Sequence, residues 1–184
     1  MKKLLISLVM ALLAVAGNTA SAAPQPENLF YSPQTAFTWG ADAGASIDMT
    51  GNDMSTVDFD LYFGMRRKWI GFFGLGVGAD IMVTNSCRSF PLYVAFRTNF
   101  VNRPTVAFWD VRLGVSLNYL EHNHQQTGLY GFTGVGFNLA RSRRFSSHII
   151  VGYTFRERRR IEGADMTHDF ASLHCATVRI GVAF

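Results

Sequence analysis

The chain has 184 residues and a formal net charge of +4, and 48% of its residues are hydrophobic. The length predicts a single domain, and so weakly basic a balance gives no reason to expect a nucleic-acid partner. After residue 22, no stretch approaches the roughly 18 continuous apolar residues that a transmembrane helix requires.

The amino terminus has the pattern of a secretory signal peptide. Lys2 and Lys3 precede an apolar run over 4–16, and the small residues of 20–22 form a cleavage motif. The apolar run is too short to cross a bilayer as a helix. Cleavage would remove two lysines and leave a formal charge of about +2. We predict three segments: a cleaved signal peptide over 1–22, a short lead over 23–36 and one domain over 37–184.

Eight later segments alternate between apolar residues and polar or small residues, which is the period of a β-strand with two different faces. The predicted strands cover about 37–48, 57–66, 69–83, 91–100, 106–119, 128–139, 147–156 and 169–184. In the second strand, Val57, Phe59 and Leu61 share one face, while Asp58 and Asp60 share the other. Few strands of soluble proteins separate the two kinds of residue so cleanly.

Two strands depart from this alternation. In the third strand, Ile70, Phe72 and Met82 break the pattern, and we expect them to pack inside the enclosed space or at its rim. In the sixth strand, Tyr130 and Phe132 stand at inward positions. The interior is therefore expected to contain some apolar side chains among the polar ones.

The connections between the predicted strands alternate in character. Those after strands one, three, five and seven are longer and more polar, over 49–56, 84–90, 120–127 and 157–168. Short turns on one side and longer loops on the other side are the arrangement of outer-membrane barrels. The amino terminus and the last residue would then lie on the periplasmic side.

The last eight residues, 177–184, alternate strictly. Val178, Ile180 and Val182 share the apolar face, and the chain stops on an aromatic residue, Phe184. An apolar outside with Arg and Gly inside is typical of the wall of a transmembrane barrel.

This ending resembles the C-terminal signal by which outer-membrane β-barrel proteins are recognised for assembly. The residues that match the signal are Arg179, Gly181, Val182 and Phe184. In architecture, the whole chain after the signal peptide resembles the small eight-stranded barrels of the OmpA and OmpX type, and most of all the outer-membrane β-barrel families of Bacteroidetes.

The resemblance implies a location in the outer membrane of a Gram-negative (diderm) bacterium. It implies contacts with outer-membrane lipid and lipopolysaccharide, and biogenesis through periplasmic chaperones and the barrel-assembly machinery. We expect a monomer with no cofactor and no nucleic-acid partner.

The predicted fold is an all-β, eight-stranded antiparallel up-and-down transmembrane β-barrel. A soluble lipocalin-like barrel is the alternative, but its hydrophobic face would have to lie in the interior. The apolar face of this chain is too large for that, because an eight-stranded barrel has room for only one set of side chains inside. In lipid, closure also gives every backbone polar group a partner.

The polar face of the predicted barrel carries as many acidic as basic residues. The inward charged residues are Asp42, Asp58, Asp60, Asp80, Asp110, Arg66, Arg97, Arg112, Arg156 and Arg179. We predict that the five aspartates pair with Arg97, Arg112 and Arg179 in a lumen charge network of eight residues that plugs the narrow interior. The alternative is an ion path. Inward glycines such as Gly74, Gly76 and Gly78 would leave room for the long arginines.

The three tryptophans fall near the starts of odd-numbered strands. Trp39, Trp69 and Trp109 all stand at outward positions. In the predicted topology they would form a periplasmic aromatic girdle, because indole rings favour the interface between membrane and water.

The last long loop begins with a run of arginines. Because guanidinium groups suit phosphate oxygens, Arg158, Arg159 and Arg160 are candidate lipopolysaccharide contacts at the outer rim. A solvated loop explains the same three residues equally well.

Histidines give only a weak metal signal. His122, His124 and His168 lie in predicted outer loops. No cysteine or carboxylate stands at a spacing typical of a metal site, so no metal site is predicted. Cys87 lies in a loop and Cys175 points inward from the last strand. An oxidising compartment permits a disulfide, but it would have to cross the lumen, and both bonded and unbonded states stay open.

Two classes of function fit this pattern. The first is a non-enzymatic barrel with a structural, envelope-integrity or adhesive role, or a minor pore. The second is an enzyme that modifies lipid A, as a hydrolase or acyltransferase. It would need a nucleophile, a base and an orienting third group at the lipid-facing rim. Ser172 and His174 share an outward face, but the sequence shows no third partner, so we predict no catalytic residues.

Overall fold

The computed structural model describes residues 36–51, 54–66, 70–84, 87–100, 107–119, 125–141, 145–157 and 172–184. The predicted signal peptide lies outside the described residues, and so does the lead except for its last residue. Within the described ranges, no helix is long and apolar enough to cross a membrane.

Eight antiparallel strands form a closed barrel, in which each strand pairs with its neighbours in the chain and the first strand pairs with the last. The strands are β1 (Ala36–Asp48), β2 (Thr56–Arg66), β3 (Phe72–Met82), β4 (Arg88–Asn99), β5 (Ala107–Tyr119), β6 (Gln125–Arg141), β7 (Ser146–Arg156) and β8 (Leu173–Ala183). The predicted fold class is confirmed.

The strands have 11 to 17 residues, and tilted strands of about 9–11 residues already cross a bilayer. Two ends are distinguished below. The C-terminal end is the one at which the odd-numbered strands begin and the last residue lies, and the loop end is the opposite one.

Burial along the strands is inverted relative to a soluble protein. On β2, the inward Asp58 and Asp60 are almost completely buried, whereas the outward Phe59, Leu61 and Phe63 are 51%, 50% and 46% exposed. The other strands expose their outward hydrophobic residues in the same way. An apolar surface of this size around a polar interior suits hydrocarbon as the surrounding solvent.

Four of the five residues that break the alternation lie inside, whereas Ile70 precedes β3 and is half-buried. Phe72, Met82, Tyr130 and Phe132 are all buried in the barrel. Pro91 stands inside β4, three residues after the strand begins. It pairs with Ser116 of β5, while the pairing of β4 with β3 skips Pro91 and Phe90 and continues at Leu92 and at Ser89. This interruption fits a residue that has no backbone N–H to donate.

Phe184 extends the pairing between β1 and β8 that closes the barrel. The N–H of Phe184 donates to the carbonyl of Trp39 at 2.8 Å, and the N–H of Trp39 donates to the carbonyl of Phe184 at 3.2 Å. The two rings are stacked with centroids 4.7 Å apart, and Phe145 packs edge-on against Phe184 at 5.5 Å. Closure of the barrel therefore uses both the backbone and the ring of the terminal aromatic residue.

Candidate functional site in the barrel interior

The interior holds two groups of charged side chains at different heights. The group nearer the C-terminal end, here the Arg112 layer, consists of Asp42, Arg97, Asp110, Arg112 and His148. The group nearer the loop end, here the Arg156 layer, consists of Asp58, Asp80, Arg156 and Arg179. All nine side chains are at least nine-tenths buried. They point inward because each stands at the polar position of its strand's two-residue period.

Arg112 is the most connected member of its layer. It forms ion pairs with Asp42, with Asp110 at 3.0 Å and with Asp60 at 3.1 Å. Its Nη1 also donates to the hydroxyl of Tyr93 at 3.1 Å. One guanidinium on β5 thus joins carboxylates from β1, β2 and its own strand.

Arg97 and His148 complete the Arg112 layer. Arg97 pairs with Asp110 and, at 3.1 Å, with Asp42, and it donates to the hydroxyl of Tyr62 at 3.0 Å. The Nε2 of His148 lies 3.0 Å from Asp42. Asp42 therefore faces two arginines and one histidine, from β4, β5 and β7.

The Arg156 layer has fewer and longer contacts. Arg156 lies 2.7 Å from Asp80 and 3.4 Å from Asp58. Arg179 lies 3.8 Å from Asp58 and 3.4 Å from Asp60, and it donates to the hydroxyl of Tyr130 at 3.0 Å. Asp60 contacts both Arg112 and Arg179, so it links the two layers.

Hydroxyl groups supply further donors to Asp58. Thr56 donates to it at 2.6 Å and Ser46 donates to its other oxygen. Ser46 also contacts Thr177, which contacts Thr154 at 2.6 Å. A chain of short polar side chains from β1, β2, β7 and β8 thus adjoins Asp58 in the Arg156 layer.

The two layers differ in how completely their atoms are hydrogen-bonded. In the Arg112 layer, no buried side-chain nitrogen or oxygen lacks a hydrogen bond among the described residues. Both oxygens of Asp60 and of Asp80 lack a well-oriented hydrogen bond, as do Nε of Arg156 and two nitrogens of Arg179. Ion pairing continues through both layers, but only the first is fully hydrogen-bonded.

The structure places all eight residues of the predicted charge network in these layers or between them. Of the other two inward arginines, Arg156 belongs to the second layer and Arg66 lines the opening at the C-terminal end, where it is half-buried. Five buried carboxylates therefore share four buried guanidinium groups, and His148 is the further basic side chain.

The inward glycines make room for rings as well as for arginines. A Cβ atom on Gly76 would overlap the Tyr93 ring, and one on Gly40 would lie 2.5 Å from Cζ of the Tyr62 ring. Only some glycines face a charged side chain directly, as Gly44 does with Arg179. We expected the inward glycines to leave room for arginine side chains. The structure shows that they also leave room for tyrosine rings.

Sequence reasoning did not include His148, Tyr62, Tyr93 and Tyr130 in the network. Each stands at an inward position, and each touches a charged group of one layer. The sequence could have indicated this, because a buried tyrosine or histidine needs a hydrogen-bond partner. The other polar residues predicted to face inward are mostly arginines and aspartates.

Two residues of the predicted aromatic girdle are described. Trp39 and Trp109 are 47% and 45% exposed on the outer surface, both near the C-terminal end, and Trp109 donates to the hydroxyl of Thr133 at 2.9 Å. Trp69 lies outside the described residues. The girdle remains a prediction for the set of three.

The residues of the predicted assembly signal lie on both faces of the barrel's seam. Arg179 and Gly181 face inward, while Val182 faces outward and Phe184 packs on Trp39. Recognition of this segment by the assembly machinery remains a prediction.

Several predicted outer-loop residues lie outside the described ranges: Arg158, Arg159, Arg160, His122, His124 and His168. The two cysteines are described, and no disulfide joins them. Cys87 is buried against Met82, and Cys175 is buried with Met54 and Leu173 in a separate cluster.

The outward pair near the loop end does not form a nucleophile and base. The Nδ1 of His174 contacts the hydroxyl of Tyr153, and its ring packs against Phe155 at 5.4 Å. The carboxylate of Glu157 accepts from the backbone N–H of Leu129 at 3.2 Å. The imidazole therefore interacts with tyrosine, not with Ser172.

No family model matches the sequence, and no curated protein matches it. The fold does match solved structures. Neisserial surface protein A aligns with a TM-score of 0.53 at 15% identity, over 82% of this chain and 97% of that one. The N-terminal β-barrel domain of Pseudomonas aeruginosa OprF aligns with a TM-score of 0.53 at 10% identity, over 82% of this chain and 100% of that one. The chain has the fold that these two proteins share, that of the small eight-stranded outer-membrane β-barrels.

Proposed function

We propose that this chain is a non-enzymatic integral protein of the outer membrane of a Gram-negative bacterium, with a structural, envelope-integrity or adhesive role. Its own side chains close its lumen. The observation that carries the proposal is the inverted burial of the barrel, with apolar residues outside and cross-linked charges inside.

The outer surface supports the membrane location. No Asp, Glu, Lys or Arg stands at an outward position in the middle of a described strand. At the midplane of a bilayer, an outward Lys or Arg costs about 2–4 kcal/mol, so a barrel that works in lipid must avoid it. A soluble barrel has no such constraint on its outer face.

The interior supports closure over conduction. The side chains of Arg112, Arg156 and Arg179 are almost completely inaccessible, and each pairs with carboxylates of other strands. An ion moving along the axis would have to displace these pairs, and breaking a buried ion pair is costly.

The location is tested by fractionation and gel mobility. Inner and outer membranes of the native bacterium are separated, and each is run with and without boiling. We expect the protein in the outer-membrane fraction only, with a boiled band that migrates differently from the unboiled one. The proposal is contradicted if the protein is found in the soluble fraction, or if its gel mobility is the same with and without boiling.

The closed lumen is tested by recording currents from the purified protein in planar bilayers. We expect no steady single-channel conductance from the wild-type chain. If the wild type conducts steadily, the interior is an ion path and the plug is wrong.

The arginine run at 158–160 adds a proposed contact with lipopolysaccharide phosphates. Replacement of all three arginines by Gln keeps the side-chain length but removes the charges that suit phosphate. We expect less lipopolysaccharide to co-purify with this variant than with the wild type. Equal retention identifies the run as a solvated loop.

The lipid-A enzyme is the alternative that the geometry disfavours, because His174 contacts Tyr153 and not Ser172. Mass spectra of lipid A from cells with and without the gene separate the two classes. We expect identical spectra, and a change in acylation on deletion favours the enzyme.

A further inference from the structure

The lumen opens into a small cavity at the C-terminal end. It has a volume of about 40 Å³ and is lined by residues from all eight strands. This is room for about three water molecules, or for the head of one small oxyanion. Phe72 and Phe108 form apolar parts of its wall.

The polar lining of this cavity is rich in hydrogen-bond donors. It includes Arg66, Arg97, His148, Asn99 and Asn138, and no Asp or Glu of the described residues belongs to it. Arginine and amide side chains present N–H groups, and guanidinium groups match the geometry of phosphate. The lining thus suits an anion better than a cation.

The carboxylates that pair with Arg97 and His148 do not line the cavity. Asp42 and Asp110 are fully buried, and their oxygens are occupied by Arg97, Arg112 and His148. Arg97 uses one hydrogen bond from each terminal nitrogen, to Tyr62 and to Asp42. Because each terminal nitrogen of a guanidinium carries two N–H groups, Arg97 retains donors for a ligand.

The segments that connect strands at the two ends of the barrel have net charges of opposite sign. The segments that connect strands at the C-terminal end, 67–71, 100–106 and 142–145, contain five Lys or Arg and no Asp or Glu. Those at the loop end, 49–55, 83–87, 120–124 and 157–172, contain six acidic residues and three arginines. An excess of basic residues at one end of a barrel favours the approach of anions to that end.

We infer that the cavity at the C-terminal end binds a small phosphate-type oxyanion, held by Arg66, Arg97 and the amides of Asn99 and Asn138. The inference needs only the folded barrel, and it stands whether or not the proposed outer-membrane role is correct. The phosphate can come from a free ion or from a lipid headgroup that reaches over the rim.

The test uses the full chain without its signal peptide, folded in a zwitterionic detergent free of phosphate. Inorganic phosphate is titrated by isothermal titration calorimetry against sodium chloride of the same ionic strength. We expect saturable phosphate binding by the wild type. Arg66→Gln should weaken it about tenfold or more, because a charge-assisted hydrogen bond is lost. Asn99→Asp should weaken it as well, because it adds a carboxylate with almost no change in shape.

Arg88→Gln is the matched control, since Arg88 is exposed at the loop end and removing it changes the net charge by the same amount. It should leave phosphate binding unchanged. Heat-dependent gel mobility shows that each variant is folded. Absence of saturable binding by the wild type, or equal affinity in folded Arg66→Gln and wild type, overturns the inference.

Dimethyl phosphate identifies the source of the anion. It is a phosphodiester, as a lipid headgroup is, whereas inorganic phosphate is not. Tighter binding of inorganic phosphate supports a free ion as the ligand, and equal or tighter binding of the diester supports a lipid headgroup.

Discussion

The Arg112 layer and the Arg156 layer contain the same kinds of side chain but differ in completeness. Asp42, in the first layer, faces two arginines and a histidine. Asp80, in the second layer, faces Arg156 at 2.7 Å, and neither of its oxygens has a well-oriented hydrogen bond. Buried charges in one lumen are therefore not equivalent, and burial alone does not tell how much each contributes.

Both layers cross the lumen and so connect strands that are not neighbours. Asp42 of β1 reaches β4, β5 and β7, and Arg156 of β7 reaches β2 and β3. The difference lies in the remaining lone pairs and N–H groups, which are satisfied in one layer and not in the other. Since an ion pair offsets its desolvation only when these groups are also bonded, the Arg112 layer should stabilise the barrel more.

The largest expected effect follows from removing the centre of the first layer. Arg112→Ala leaves Asp42, Asp60 and Asp110 without their shared partner, and the free energy of unfolding should fall by about 3–5 kcal/mol. Urea unfolding in lipid vesicles, followed by tryptophan fluorescence, measures the loss.

Arg88→Ala is the control for that variant, because Arg88 is exposed and outward near the loop end. Its effect should stay within about 0.5 kcal/mol. Equal losses from the two substitutions would show that the charged interior is not what holds the barrel together.

The next effect tests whether both layers lie within an apolar membrane belt. Leu61→Arg places a charge at the middle of β2 on the outward face, and it should cost about 2–4 kcal/mol in a bilayer. Phe37→Arg, near the C-terminal end, should cost about 0–1 kcal/mol, because the cost falls near the interface. Vesicle unfolding of both variants gives the difference, and equal costs would argue against a bilayer centred on the strands.

The barrel and the facing of its strands follow from alternation alone, because a strand has only two faces. On β2 and β7 the predicted limits agree with the structure to within one residue. On β3 the predicted start is wrong, because the strand begins at Phe72 and not at Trp69. Local pattern can place a strand, but it cannot fix where pairing with a neighbour starts.

The partners within the interior did not follow from the sequence. Alternation shows that Asp42 and Arg112 both face inward, but their contact joins β1 to β5 across the lumen. It depends on the stagger between strands, which the whole closed sheet sets. The same holds for Asp80 and Arg156, so the division into two layers could not be predicted.

A smaller effect compares the same substitution in the two layers. Asp42→Asn leaves three cationic or imidazole donors around a neutral amide, and it should cost about 2–3 kcal/mol. Asp80→Asn removes one of five carboxylates that share four guanidinium groups, and its cost should lie below about 1 kcal/mol. Unfolding of both variants in vesicles measures the costs. If Asp80→Asn costs as much as Asp42→Asn, the layers are equally important.

The smallest effect asks whether the layers are energetically separate. A double-mutant cycle between His148→Ala and Asp42→Asn should give a coupling of about 1 kcal/mol, because the two side chains are 3.0 Å apart. The cycle between His148→Ala and Asp80→Asn should give less than about 0.5 kcal/mol, because those residues share no direct contact and belong to different layers. Both cycles use the same unfolding assay, so errors from the reference state largely cancel. Asp60, which touches an arginine of each layer, is the route by which coupling could pass between them. A second cycle as strong as the first would mean that Asp60 joins the two layers into one cooperative network, in which the satisfied layer also holds the unsatisfied one in place.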